Sequence, residues 1–127
     1  MIDNLSEIAQ RFVTELRAGS ATGAVEAAGR YGRRLAVLGA AASVPIVTEA
    51  FTRASGLAKE LGGIAKPSGA GGGDIGIAMF ATPEAARLFA RALPEPLVPL
   101  DVDLDRLGVR RRLSEDTSCE NSGLFHV

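Results

Sequence analysis

Tryptophan is absent from this 127-residue chain, tyrosine, cysteine and histidine occur once each, and aromatic residues make up only 5% of it. One cysteine, Cys119, permits no internal disulfide framework, and one histidine, His126, leaves no zinc-type ligand cluster. Neither charge sign is in excess. With 14 basic and 15 acidic residues the net charge is −1, so no whole-molecule field draws nucleic acid or an anionic membrane, and any anion site must be local. Long hydrophobic runs are missing too: the longest nearly apolar stretch, Leu35 to Val47, is too short to cross a bilayer. Asp3 and Glu7 stand where a signal peptide carries positive charge. A reducing cytoplasm is the expected setting, with neither nucleic acid nor membrane as partner.

What the chain has in quantity is small residues. Its length suits one domain, its alanine-rich apolar content suits closely packed helices, and seven of its 15 glycines fall between Gly62 and Gly76. Helical spacing joins Leu5, Ile8, Ala9, Phe12, Val13 and Leu16, with Asn4 and Glu7 in the pattern of a capping box. Ala24, Val25, Ala28, Tyr31, Leu35 and Leu38 predict a second helix, which Gly29 and Gly32 weaken by roughly 1 kcal/mol each unless close packing needs them. A third runs from Val47 to Leu61 and ends at Gly62 and Gly63.

Strands are expected at 63–67 and 75–80, the second buried on both faces. Thr82 caps a fourth helix that opens on Pro83 and stops before Pro94. Further strands are expected at 97–102 and 109–113, and the polar segment from Ser114 onward reads as a disordered tail. The organisation is thus an α+β domain over 1–113 and a tail over 114–127.

The densest signal is "KPSGAGGGDIG", residues 66–76. Gly71, Gly73 and Gly76 satisfy a dinucleotide G-x-G-x-x-G spacing, but that fingerprint opens a helix, and here a strand is expected. The lysine precedes the glycines rather than ending them, so no P-loop is present either. A turn needs one or two glycines, whereas four of the seven positions 68–74 have no Cβ here, at a cost in conformational entropy. Successive bare N–H groups can converge on phosphate oxygens as a nest does. A simple glycine-rich connector is the competing reading.

The same residues resemble the third conserved motif of the GHMP small-molecule kinases, in the Lys-Pro-Ser-Gly-Ala-Gly-Gly-Gly-Asp form of the phosphomevalonate kinases, with Ile75 where those commonly have Cys. The resemblance implies a ferredoxin-like sandwich, an antiparallel sheet with helices on one face. It further implies that Lys66, Ser68, Gly69, Ala70, Gly71, Gly72, Gly73 and Asp74 close the cleft around substrate and transferred phosphoryl group. ATP with Mg2+ and a small phosphorylated acceptor, 5-phosphomevalonate, would be the ligands. The family's phosphate loop and catalytic lysine and aspartate belong to an amino-terminal domain not found in this sequence, so no residue here is given a catalytic role. That domain is expected as a partner in cis or in trans. A non-catalytic phosphate-binding or regulatory domain is the alternative.

Other constellations are weaker. Asp101, Asp103 and Asp105 imitate a calcium loop, but Arg106 and Arg112 stand where its glycine and glutamate belong. Arg110 to Arg112 lack an aromatic stacking companion for nucleic acid. Cys119 and His126 have no third group to orient them as nucleophile and base.

Overall fold

The computed structural model describes residues 2–69, 71–73 and 75–102. Four helices and one hairpin follow in the order α1 (Ile2–Arg17), α2 (Ala21–Ala42), α3 (Glu49–Glu60), β1 (Ile64–Pro67), β2 (Gly76–Met79) and α4 (Pro83–Arg91). Each helix after the first opens on a hydroxyl cap. Ser20, Thr48 and Thr82 accept hydrogen bonds from the backbone N–H of Gly23, Phe51 and Ala85, which satisfies donors that have no intrahelical acceptor. The capping box at Asn4 is not used. α1 already runs from Ile2, so Asn4 lies inside the helix, and its buried Oδ1 has no partner among the described residues.

α1 and α2 form a helical hairpin turned at Gly19, and α2 buries Ala24, Val25, Ala27 and Ala28, side chains short enough for close approach. α3 ends as expected: Gly62 takes φ +74°, and the Gly63 N–H donates to the Ala58 carbonyl at 2.7 Å. That reversal sends the chain straight into β1.

β1 and β2 pair antiparallel, Ile64 opposite Met79 and Pro67 opposite Gly76. Because neighbouring strand residues face opposite sides, β1 serves two helices. Ala65 faces the cluster formed by Ala54 and Ala58 of α3 and Phe89 of α4, joined by Phe80, whose ring centroid lies 5.2 Å from that of Phe89. Ile64 faces α2, where a Cβ on Gly29 would come within 2.8 Å of its Cγ2, and a Cβ on Gly32 would lie 3.1 Å from that of Lys66. The glycines of α2 therefore admit a strand, where helix packing was the expected reason for them. The α+β class stands, with helical cover reaching β1 from both sides rather than one.

Two strand expectations change. β2 is exposed along most of its length, with Ile77 44% accessible, because among the described residues no further strand or helix covers its outer side. Residues 97–102 form no strand; Val98 and Val102 are 73% and 79% accessible. Alternating apolar residues predict a strand only when a sheet edge takes them up. The strand expected at 109–113 and the tail from Ser114 lie outside the described residues, as do Ala70 and Asp74.

Candidate functional site

The glycine segment is the turn of the β1–β2 hairpin. Ser68 donates its N–H to the Ile75 carbonyl at 3.0 Å, closing the ladder, and among the described residues no helix begins between Gly71 and Ile77, which removes the dinucleotide reading. Beyond Ser68 the chain bends through three successive glycines with positive φ, +86° at Gly71, +84° at Gly72 and +110° at Gly73. Side chains rarely tolerate that backbone.

The loop is moored rather than free. Gly72 donates its N–H to the carbonyl of Ile46, in the connection between α2 and α3, at 3.1 Å. Gly71 passes so close that a Cβ there would lie 2.5 Å from the Ile46 oxygen and 2.9 Å from its Cα. Gly73 comes up beside Thr48, the cap of α3. The sequence reading missed Ile46 and Thr48, although a threonine three residues before Phe51 is a cap signature.

This mooring divides the glycines by task. Gly71 needs its missing Cβ to approach Ile46, and the Gly72 N–H is already engaged. Gly69 is exposed, has ordinary φ, and a Cβ on it would meet nothing within 4 Å among the described residues. The N–H groups of Gly69, Gly71 and Gly73 have no acceptor among the described residues. Gly73 lies beside Thr48, the cap of α3, whose first turn carries the positive end of its helix dipole. The arrangement can receive an anion through backbone donors and the exposed Ser68 hydroxyl.

Lys66 is directed elsewhere. Its Nζ donates to the Pro67 carbonyl at 3.0 Å and stands 5.4 Å from the centre of the Tyr31 ring of α2. Partial burial lowers the pKa of its ammonium below the ordinary 10.5. Lys66 belongs to a cleft of about 630 Å³ between α2, α3 and β1, and Ser68, Gly69 and Gly71 to Gly73 are not among its lining residues. The expected site thus has two parts, a loop at the hairpin tip and a lysine on the strand face before it, joined through Pro67.

Residues 12–98 match the family described as GHMP kinases C terminal, and the chain belongs to that family. The class the hairpin loop and its surrounding helices define is therefore the carboxy-terminal domain of a GHMP kinase. Among characterised proteins, the phosphomevalonate kinase of Streptomyces sp. (strain CL190) is 35% identical over 107 residues, an alignment covering 77% of this chain and 28% of that enzyme. The chain accordingly spans well under a third of that relative's length. No solved structure matches it. Among the described residues no helix is long and apolar enough to cross a membrane.

Proposed function

We propose that this chain is the phosphate-holding carboxy-terminal part of an ATP-dependent small-molecule kinase that transfers the γ-phosphoryl group to 5-phosphomevalonate, giving 5-diphosphomevalonate for isoprenoid synthesis in the cytoplasm. The observation that carries the proposal is the run of three left-handed glycines held against Ile46, which presents small-residue backbone at a hairpin tip. Family membership supports phosphoryl transfer, and likeness to a phosphomevalonate kinase supports the acceptor.

Phosphoryl transfer needs positioning and neutralisation of charge more than covalent help from the protein. In this reading the N–H groups of Gly69, Gly71 and Gly73 and the Ser68 hydroxyl hold phosphate oxygens while the acceptor's own phosphate oxygen attacks in line. Donors already fixed in place need no reorganisation as charge develops. Ala70 and Asp74 complete the motif by sequence. Mg2+, arriving with ATP, would neutralise phosphate charge. The described residues gather no set of three His, Cys, Asp or Glu that could hold it, so nucleotide phosphates and the amino-terminal domain would supply its ligands. That domain would also bring the nucleotide loop and the group that orients the nucleophile.

The test is an ADP-release assay with ATP, Mg2+ and 5-phosphomevalonate, run on the chain alone and on the chain joined to the amino-terminal portion of the Streptomyces relative. The expected result is no turnover alone and acceptor-dependent turnover when joined, with mevalonate a poor substitute. An inactive hybrid, where the relative's own carboxy-terminal part restores activity to the same portion, would overturn the kinase reading in favour of a non-catalytic domain.

A further inference from the structure

Ile46 gives the hairpin loop more than a carbonyl. Its side chain stands between two glycines that come from different parts of the chain. On one side is Gly39, buried in the last turn of α2, where a Cβ would lie 3.2 Å from Ile46 Cβ and 3.3 Å from its Cγ1. On the other is Gly71 of the loop, where a Cβ would lie 2.7 Å from Ile46 Cγ2. The two branches of one β-branched side chain thus part, one toward α2 and one toward the loop.

The connection that carries Ile46 has no slack. α2 closes on Ser43, which takes a left-handed φ of +54°. The N–H groups of Ser43, Val44 and Ile46 donate to the carbonyls of Ala40, Gly39 and Val44 at 3.3, 2.9 and 2.8 Å, and Pro45 has no N–H to give. Every backbone donor from 43 to 46 is therefore engaged. The side chain is stiff as well, because two heavy atoms on Cβ restrict χ1. A tied connection bearing a stiff side chain, in close contact on both sides, passes displacement on rather than absorbing it. Two residues further along, Thr48 repeats the pattern, its Cγ2 standing 3.3 Å from a Cβ built on Gly73.

We infer that Ile46 is a positioning residue for the hairpin loop: its branched side chain sets the place of the Gly71–Gly73 backbone against the last turn of α2, so that the loop follows that helix. Ile46 acts through Gly71 and Gly72, which place the free N–H groups of Gly71 and Gly73. The catalytic part of this role rests on the phosphate-holding reading above, and the mechanical link from α2 to the loop does not.

The test separates branching from bulk. Amide hydrogen exchange of Gly72 in the 127-residue chain is the readout, with the Gly63 amide, bonded to Ala58, as the reference within the same molecule. Ile46→Val keeps both Cγ branches and should leave the ratio of the two exchange rates within about twofold. Ile46→Leu, equal in bulk but unbranched at Cβ, should raise that ratio about tenfold. Burial alone gives the opposite order, since valine is the smaller side chain. Gly39→Ala, whose methyl would fall on Val44 and Ile46, should raise the ratio too, whereas Gly56→Ala, in open space on α3, should not. In the chain joined to an amino-terminal kinase portion, kcat per folded molecule should fall about tenfold in Ile46→Leu and be kept in Ile46→Val. An Ile46→Leu ratio no higher than that of Ile46→Val, or a Gly39→Ala ratio equal to that of Gly56→Ala, would overturn the inference. A raised ratio in Ile46→Leu at unchanged kcat would overturn its catalytic part together with the phosphate-holding reading, and leave the mechanical link standing.

Discussion

Replacing Gly71 with alanine separates the architectural part of the loop from its chemistry. A methyl there would stand 2.5 Å from the Ile46 carbonyl oxygen and 2.9 Å from Ile46 Cα, both backbone atoms that cannot rotate away. It would also occupy a left-handed φ of +86°. The unfavourable φ costs about 1–2 kcal/mol, and relieving the overlap costs roughly 1–3 kcal/mol more, partly by lengthening the adjacent hydrogen bond from Gly72 to Ile46. A total near 3 kcal/mol lowers the Tm of a domain this size by about 10–20 °C. Gly69→Val, two residues away in open space, should change stability by no more than about 0.5 kcal/mol. Thermal unfolding of both variants by circular dichroism is the assay. Equal midpoints would refute the claim that Ile46 moors the loop.

Three further outcomes follow from particular contacts. Gly76→Ala should destabilise by about 1–3 kcal/mol in urea unfolding, because its methyl would fall on the Phe51 ring; an unchanged midpoint would show that Phe51 turns aside freely. Lys66 has a folded-state pKa below its unfolded 10.5, so its charge opposes folding at neutral pH and that penalty fades as pH rises through the lowered value toward 10.5. The stability of wild type relative to Lys66→Met should therefore improve between pH 8 and pH 10.5, and a flat difference would remove the desolvation argument. Glu15 has its pKa held low by the Ser20 hydroxyl and then by Arg11. Its stabilising contribution is full above about pH 4.5 and is lost as pH falls through the depressed value. Ser20→Ala should move the Glu15 carboxyl upward in an NMR titration and cost about 1 kcal/mol through the lost α2 cap, and an unmoved carboxyl would contradict the Ser20 bond.

The helices were legible because their signals are local: apolar spacing fixed α1 to α4, Thr82 with Pro83 marked one start, and Gly62 one end. The hairpin turn at 68–75 was legible for the same reason. What sequence did not disclose depends on partners distant along the chain. Val98, Leu100 and Val102 alternate as a strand does, yet no described edge takes them up, and Ile77 reads as buried until its outer side is found uncovered. Asn4 failed as a cap because α1 extends to Ile2, where periodicity is too short to read. At the site, the motif gave the loop, but its mooring on Ile46 and the placement of Lys66 against Tyr31 arise from packing α2 and α3 around β1. Gly29 and Gly32 were the visible trace of that packing, since each removes a side chain where β1 passes.

The central claim, that the backbone of this hairpin loop holds phosphate during transfer, is tested most directly by Gly69→Val in the kinase completed with an amino-terminal domain. Gly69 is a position where an added Cβ meets nothing within 4 Å among the described residues, and its own N–H is one of the donors the account gives to phosphate. Loss of one such interaction is worth on the order of 3 kcal/mol, or about a hundredfold in rate. The account predicts a fall of about that size in kcat/KM for ADP release with 5-phosphomevalonate, at an unchanged Tm. Wild-type kcat/KM in Gly69→Val would contradict it and leave the glycines as a structural connector.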